Sequence, residues 1–206
     1  MTPAEELLPA TAKGRATRDR IVDAAADLML AHGVQGATNP EIRAAAKVSG
    51  SQLSHYFPDK ESLVRAILAR RGDQVIELIH TTAHGDLDSI AALRSWAAFY
   101  TERPNSWEGG CRFGSLAGDV LKSDLNLTAD VTAGFDRWHA VFESGLTTMR
   151  ERGDLRPDAD PATLATILLA AFQGGMLLAQ AQHSIAPLAT ALGGAIDFVA
   201  SFAPQS

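Results

Sequence analysis

The chain has 206 residues, of which 46% are hydrophobic, 20% charged and 6% aromatic, a composition typical of soluble globular proteins. Its one cysteine, Cys111, excludes an intramolecular disulfide and suits a reducing compartment. The N-terminal region has no apolar stretch of signal-peptide length. The longest apolar run, residues 164–181, contains Gln173, Gly174 and Gly175, which favours a buried or interface helix over a membrane span. We therefore expect a cytoplasmic protein.

The net charge of −6 argues, taken alone, against binding to nucleic acid. The charge is unevenly distributed, however. Residues 1–72 carry ten Lys and Arg against eight Asp and Glu, a net +2, and the remaining residues carry eight against sixteen, a net −8. A basic head and an acidic body would orient the molecule on DNA, because phosphate attracts the first and repels the second. The excess is small and supports DNA binding only together with a motif.

The N-terminal segment precedes the first helical pattern. Residues 1–14 are rich in Pro, Ala and Thr, and we expect them to form a flexible arm. Apolar residues recur at helical spacing over residues 17–32, and Gly33 ends the pattern. A cluster of cations lies before and within this helix, and it is either a solvated face or an arm that contacts phosphates: Lys13, Arg15, Arg18 and Arg20.

Two short helical patterns follow, at roughly residues 39–46 and 50–56, with a turn of a few residues between them. Each begins with a capping-box pair, in which a hydroxyl and a Glu or Gln three residues later cap the first turn: Thr38 with Glu41, and Ser49 with Gln52. Two short helices joined in this way indicate a helix-turn-helix. The second helix of that motif enters the major groove of DNA.

A longer helix is predicted to follow the motif. Pro58 ends the preceding helix, and Asp59 caps a new one over residues 60–83. This helix is long enough to link two domains. Leu53 and Phe57, one helical turn apart, are predicted to belong to the core.

The polar residues of the two short helices are candidates for DNA contacts. Ser51, Gln52 and His55 suit base edges, since Gln pairs bidentately with adenine and Ser or His serves several edges. Arg43 would reach a phosphate, or a guanine if it points into the groove. Tyr56 belongs either to the core or to a phosphate contact, which would satisfy its hydroxyl.

The region of about residues 14–70 resembles the DNA-binding head of the TetR/AcrR family of bacterial one-component regulators. The resemblance implies an all-helical homodimer whose N-terminal heads read a palindromic operator. It also implies a C-terminal domain whose small effector spreads the heads and releases the DNA, and phosphate contacts by Thr38, Tyr56 and Lys60. The matching positions are Ile21, Ala24, Ala25, Leu28, Gly33, Thr38, Ile42, Val48, Ser49, Leu53, Phe57, Lys60 and Leu63.

Four positions depart from the usual family pattern. Ser54 replaces a common Tyr, Lys47 a Gly, Arg43 an Ala and Gly50 a Lys. These changes leave the fold unaffected, but no known operator sequence can be transferred to this chain. The predicted DNA-binding set is Arg15, Arg18, Thr38, Arg43, Ser49, Ser51, Gln52, His55, Tyr56 and Lys60.

Beyond Gly85 the helical patterns lengthen and the chain becomes acidic. Two predicted helices near the C-terminus, residues 161–183 and 187–202, are apolar on more than one face. A helix pair of this kind has to bury its extra face, and the simplest arrangement is a dimer through a four-helix bundle. Such a two-fold dimer would space two recognition helices for a palindromic operator.

All three tryptophans fall in this C-terminal region. Each aromatic or Met side chain there is individually as well explained by a core position, but together they predict a cavity for an apolar or aromatic effector. Cys111 is interpreted as a small buried hydrophobe, with a thiol switch as the alternative. The predicted effector-binding set is Trp96, Tyr100, Trp107, Cys111, Phe113, Trp138, Phe142, Phe172 and Met176.

No metal or cofactor is predicted. His80 and His84 have a metal-compatible spacing, but no Cys or carboxylate accompanies them in sequence. The helical patterns also contain no paired carboxylates or Ser/His/Asp order of the kind that an enzyme would need. The sequence therefore predicts an all-α protein with a DNA-binding domain over residues 15–60 and an effector-binding and dimerisation domain over 61–206. The predicted function is a ligand-responsive repressor, and the alternative is a dimeric ligand carrier without specific DNA binding.

Overall fold

A computed structural model describes residues 9–82, 86–103 and 105–204. These residues form nine α-helices and no strands, which confirms the predicted all-α class. The helices are α1 (Ala12–Gly36), α2 (Asn39–Ala46), α3 (Gly50–Tyr56), α4 (Lys60–Thr82), α5 (Ile90–Thr101), α6 (Arg112–Leu121), α7 (Thr128–Arg152), α8 (Pro161–Gln182) and α9 (Ala186–Ala200).

Helix α1 begins earlier than the predicted start at Thr17. Thr11 is its N-cap, and the Thr11 hydroxyl oxygen accepts a 3.0 Å hydrogen bond from the Gly14 N–H. Part of the predicted flexible arm is therefore helical, because this cap satisfies a donor of the first turn; residues 1–8 lie outside the described residues. Gly33 interrupts the helix with a φ of 77°, in the left-handed region that glycine adopts without steric cost.

The chain divides into two compact units. Unit 1 contains residues 1–69 and 116–128, and unit 2 contains residues 70–115 and 129–206, so that α4 and α6 each contribute to both. In unit 1, the second half of α6 joins the end of α1, where the Val34 N–H donates to Asp119 Oδ2 at 3.3 Å. The core of unit 1 includes the predicted Leu53 and Phe57, together with Ile21, Ala25, Met29, Ile42, Leu63, Ile67, Leu116 and Val120.

Unit 2 is built around an aromatic core in which α8 packs against α9 and α9 against α5. Gly175 permits the close approach of α8 to α9, because a Cβ added there would lie 3.1 Å from Leu188 Cα. Its neighbour Gly174 is exposed. In the described part of the chain, only α8 has the length and apolar composition to cross a membrane. Leu168 and Phe172 on α8 are buried in the core, as expected for a core helix.

Candidate nucleic-acid interface and effector cavity

The turn between α2 and α3 is built on Lys47. Its backbone is left-handed, with φ 53° and ψ 52°, and the Val48 N–H donates to the Arg43 carbonyl at 3.1 Å. A side chain in this conformation costs on the order of 1 kcal/mol relative to glycine. Lys47 is thus the position where the family usually has Gly, and the chain keeps the same turn at that cost.

Both predicted capping boxes are present. Glu41 Oε2 accepts from the Thr38 N–H at 3.0 Å and from the Thr38 hydroxyl at 2.6 Å. At α3, Gln52 Oε1 accepts from the Ser49 N–H at 2.9 Å, and the Ser49 hydroxyl oxygen accepts from the Gln52 N–H at 3.1 Å. The Gln52 side-chain oxygen therefore stabilises the start of α3, and the side-chain NH2 group remains as the donor for a base edge.

Helix α3 has a polar outer face over an apolar inner one. Ser51, Gln52, Ser54 and His55 are exposed, while Leu53 is buried against the rest of unit 1. This alternation leaves consecutive polar groups available to a ligand as large as a DNA groove.

Arg43 on α2 lies beside the first residue of α3. A Cβ added at Gly50 would lie 3.3 Å from Arg43 Nη1. The Arg43 side chain is exposed, so its guanidinium group is held next to the polar face of α3 while it remains accessible. Sequence reasoning noted both residues as departures from the family pattern but did not connect them.

The start of α1 lies next to the end of α3. The Tyr56 hydroxyl is 3.6 Å from the position of a Cβ at Gly14, and the half-buried Tyr56 ring packs edge-on against His55 with 5.1 Å between ring centroids. Arg15 Nη1 donates to the carbonyls of Pro9 and Ala10 at 3.0 and 2.9 Å. Tyr56 and Arg15 therefore meet at the N-terminus of α1, where unpaired N–H groups favour an anion.

Arg18 and Lys60 interact with the protein itself. The Arg18 guanidinium lies 5.2 Å from the centroid of the Phe57 ring, a cation–π contact. Lys60 Nζ donates to the carbonyls of Gln35 and Ala37 at 3.3 and 3.1 Å, and partial burial lowers the pKa of its ammonium group. Lys60 thus ties α4 to the loop before α2, and a phosphate would have to share this ammonium group with the two carbonyls. Its phosphate contact remains a prediction.

A cavity of about 320 Å³ lies within unit 2. It brings together six of the nine predicted effector-binding residues: Tyr100, Cys111, Phe113, Trp138, Phe172 and Met176. The other lining residues, which sequence reasoning missed, are Arg71, Gln74, Val75, Leu78, Ser106, Gly110 and Arg112. The spacing of Arg71, Gln74, Val75 and Leu78 on one face of α4 was the available signal, because residues three and four apart share a helix face.

Three of the predicted effector-binding residues lie elsewhere. Trp96 and Phe142 are completely buried and pack edge to face with 5.0 Å between ring centroids, in the core rather than at the cavity. Trp107 packs edge-on against His183 at 5.0 Å. These side chains differ from the cavity residues in depth, which helical spacing does not encode.

The polar atoms around the cavity are mostly hydrogen-bond donors. Trp138 Nε1 is buried and has no hydrogen-bond acceptor among the described residues. Burial raises the pKa of the Tyr100 phenol, so it stays protonated. Burial also raises the pKa of the Cys111 thiol, although the Gly114 N–H donates to its sulfur at 3.2 Å. The thiol is therefore neutral at pH 7, as the interpretation of Cys111 as a buried hydrophobe expects.

A metal site was not predicted. Within the described ranges, no three His, Cys, Asp or Glu side chains are grouped as metal ligands. His80 Nδ1 lies 3.7 Å from Asp86 Oδ1, and His84 lies outside the described residues.

A helix-turn-helix with an exposed polar recognition helix and a separate cavity lined by aromatic and polar side chains define a ligand-binding regulator of transcription. Comparison with known families agrees. The family model described as "Bacterial regulatory proteins, tetR family" matches residues 21–67, and that described as "Tetracyclin repressor-like, C-terminal domain" matches residues 87–194. The chain belongs to the TetR family. It is a soluble, ligand-responsive DNA-binding regulator and not an enzyme.

Known relatives share this organisation along most of the chain. The HTH-type transcriptional repressor DhaR of Mycobacterium sp. (strain GP1) is 23% identical over 83% of this chain and 86% of its own length. The A-factor receptor protein of Streptomyces griseus is 28% identical over 82% of this chain, and the match spans 56% of the receptor. A TetR transcriptional regulator from Chloroflexus aurantiacus superposes with a TM-score of 0.78 at 27% identity, covering 95% of this chain and all of that structure.

Proposed function

We propose that this regulator binds a palindromic operator as a homodimer in the cytoplasm, represses transcription there, and is released when a small effector occupies the cavity of unit 2. The observation that carries the proposal is the polar outer face of α3 above a buried Leu53 and Phe57. The motif is therefore packed for presentation to a groove, which a carrier without DNA binding would not need.

The proposed DNA contacts fall into two groups. Ser51, His55 and the Gln52 NH2 group meet base edges, and Arg43 adds a guanidinium beside them that suits guanine or phosphate. Thr38, Ser49, Arg15, Arg18, Tyr56 and Lys60 serve the phosphates, with Tyr56 supported most directly by its position at the start of α1.

The proposed dimer forms through the outer faces of α8 and α9. Leu177, Leu178 and Phe198 are large apolar side chains that are about half exposed or more, at 66%, 52% and 47%. Gly174, Gly193 and Gly194 are exposed on the same two helices with open space where a Cβ would stand. Large side chains beside glycines provide the knobs and depressions that a second helix pair would fill.

The proposed effector is small and has an apolar or aromatic body. The cavity volume lies at the lower end of the range for small-molecule sites, and the walls formed by Phe113, Trp138 and Phe172 suit a flat ring. Helix α4 carries both Lys60 at its start and four cavity-lining residues further along. The printed names of the two relatives, a repressor and a receptor, support both halves of the proposal.

The test is DNA binding by the purified protein. Its own upstream intergenic region is the first target, at two salt concentrations, beside an Arg43→Ala/Gln52→Ala/Tyr56→Ala variant whose helicity is checked by circular dichroism. We expect sequence-specific binding that weakens as salt rises and that the variant loses. Selection from random DNA fragments with ligand-free, refolded protein covers an operator located elsewhere. Failure to enrich any sequence in that selection would contradict the proposal and favour the carrier.

A further inference from the structure

The proposed effector cavity is charged at one part of its wall. Arg71 on α4 and Arg112 at the start of α6 both line it. Among the lining residues that the structure describes there is no Asp or Glu. Two guanidinium groups without a carboxylate in the same wall create a positive potential inside a partly enclosed space, where charge interactions are stronger than in bulk water.

The uncharged polar groups of the wall have the same preference. The buried Nε1–H of Trp138, which has no acceptor in the described structure, is a donor. Leaving such a group unsatisfied is unfavourable, so a ligand that supplies an acceptor gains affinity there. The neutral phenol of Tyr100 is a second donor. Gln74 accepts from Arg71 Nη1 at 2.8 Å through its oxygen, so its NH2 group is the part left to a ligand.

The opposite wall is aromatic and aliphatic. Phe113, Phe172 and Met176 line it, and Trp138 and Phe172 pack edge to face at 5.1 Å. A ligand that satisfies both walls has a ring at one end and an acceptor-rich group at the other.

From these observations we infer that the effector is a ring-bearing organic anion, with the ring against Phe113, Trp138 and Phe172 and the anionic group bound by Arg71 and Arg112. The inference rests on the proposed function and makes it more specific. A neutral apolar molecule would leave the Trp138 donor unsatisfied and two cations without a partner from the ligand. An aromatic cation would gain from the rings but would face both arginines. Arginine binds carboxylate and phosphate through paired N–H donors, so both anion types belong to the inferred class.

The experiment compares probes that share one ring and differ in charge. The probes are 2-naphthoate, 2-naphthyl phosphate, the neutral 2-naphthamide and the cationic 2-naphthylmethylammonium, with the matching benzoate, benzamide and benzylammonium set for a smaller ring. Binding to the full chain is measured by calorimetry, without DNA. We expect an anion to bind at least about tenfold more tightly than the amide, the scale of one charged hydrogen bond. The carboxylate and phosphate arms show which anion the site prefers.

Three variants test the assigned contacts. Arg71→Gln and Arg112→Gln are each expected to raise the Kd of the anion by about tenfold or more and to leave the Kd of the amide nearly unchanged. Trp138→Phe keeps a ring but removes the donor, and it should weaken the anion more than a purely apolar ring such as naphthalene. The matched control is Arg94→Gln, since Arg94 lies outside this cavity and pairs with Asp197 at 3.3 Å.

Equal or tighter binding of the amide or the ammonium probe, or no binding of any probe, would overturn the inference. So would unchanged anion binding in both arginine variants. These results are separable from the proposed function, because operator binding is measured on the same protein without any probe. A neutral or cationic probe that binds and releases the operator would leave the regulator in place and remove only the anionic class.

Discussion

Arg43 and Gly50 are a coupled pair at the junction of α2 and α3. The Arg43 guanidinium occupies the space next to Gly50, with Nη1 3.3 Å from where a Cβ would stand. Each residue is a departure from the family pattern, and together they are complementary, because the absent side chain leaves room for the long one. Both positions adjoin the exposed face of α3, so the pair alters the surface that meets the operator while the buried side of the motif stays unchanged.

Gly50→Ala is expected to displace Arg43 and not to unfold the motif. The clash involves the end of a flexible side chain, so the free energy of unfolding should stay within about 0.5 kcal/mol of the parent protein. Operator affinity should fall, because the guanidinium can no longer lie in its present place. The measurement is a double-mutant cycle with Arg43→Ala, in which Gly50→Ala should have little effect once Arg43 is absent. Additive effects of the two substitutions would contradict this coupling.

Gln52 has two separable roles, as a cap of α3 and as a proposed contact to a base. Gln52→Glu preserves the capping box, since a Glu oxygen also accepts from the Ser49 N–H, but it places a negative charge against DNA. We expect nearly unchanged stability and operator affinity reduced by about tenfold or more. Gln52→Ala should instead lower the free energy of unfolding by about 1 kcal/mol, because the Ser49 N–H loses its acceptor.

Urea denaturation and a fluorescence-polarisation titration with operator DNA measure the two effects on the same samples. If Gln52→Glu bound the operator as tightly as the parent protein, Gln52 would be a cap alone and the base contact would be wrong.

Local features of the chain were predictable from sequence. The capping boxes at Thr38 and Ser49, the buried Leu53 and Phe57, and the starts of α7 and α8 depend on residues within one or two helical turns of each other. The left-handed Lys47 was a predictable turn position but not a predictable conformation for a lysine. Local chemistry therefore determined the helix-turn-helix almost completely.

The cavity was less predictable, because it depends on how distant helices pack. Arg71 and Arg112 come from α4 and α6 and meet only in the folded unit. Trp96 and Trp138 have similar helical contexts, yet one is a core residue and the other lines the cavity. Lys60 was assigned to phosphate from the resemblance, whereas its bonds to the carbonyls of Gln35 and Ala37 depend on the position of a loop 23 to 25 residues away in sequence.

Leu177→Glu is expected to dissociate the proposed dimer. Leu177 is 66% exposed on α8, so the substitution should leave the folded protomer intact while it places a charge in the interface. Sedimentation velocity should show a monomer, and operator affinity should fall because one recognition helix is lost from each complex. Leu121→Glu is the matched control, since Leu121 is 55% exposed but lies on α6, outside the proposed interface. A dimer that survives Leu177→Glu at micromolar concentration would place the interface elsewhere.

Acid should weaken unit 1 through its helix caps. Hydrogen bonds from the Thr38 hydroxyl and N–H lower the pKa of Glu41, and those from Ser62 lower the pKa of Asp59. A carboxylate whose pKa is lower in the folded state stabilises the protein above its ordinary pKa, near 4. This contribution is lost as the pH falls through the lowered value. The urea midpoint should therefore decrease from about pH 5 to about pH 3.

Glu41→Gln separates this effect from general acid unfolding. Gln keeps the capping box without a titrating group, so the variant should lose less stability than the parent protein over the same pH interval. Parallel pH profiles for the two proteins would show that the Thr38–Glu41 bonds do not contribute to the acid dependence.

Cys111 should react slowly with alkylating reagents. Burial raises the pKa of its thiol, so the thiolate, which is the reactive form, is scarce at neutral pH. We expect iodoacetamide to modify the folded chain at least about tenfold more slowly than the same chain in urea, since each unit of pKa changes the thiolate fraction tenfold. Mass spectrometry of timed samples measures both rates. Because Cys111 lines the cavity, a bound effector should slow the reaction further. Rapid modification of the folded protein at pH 7 would instead identify an activated thiol and favour a redox switch at the effector cavity.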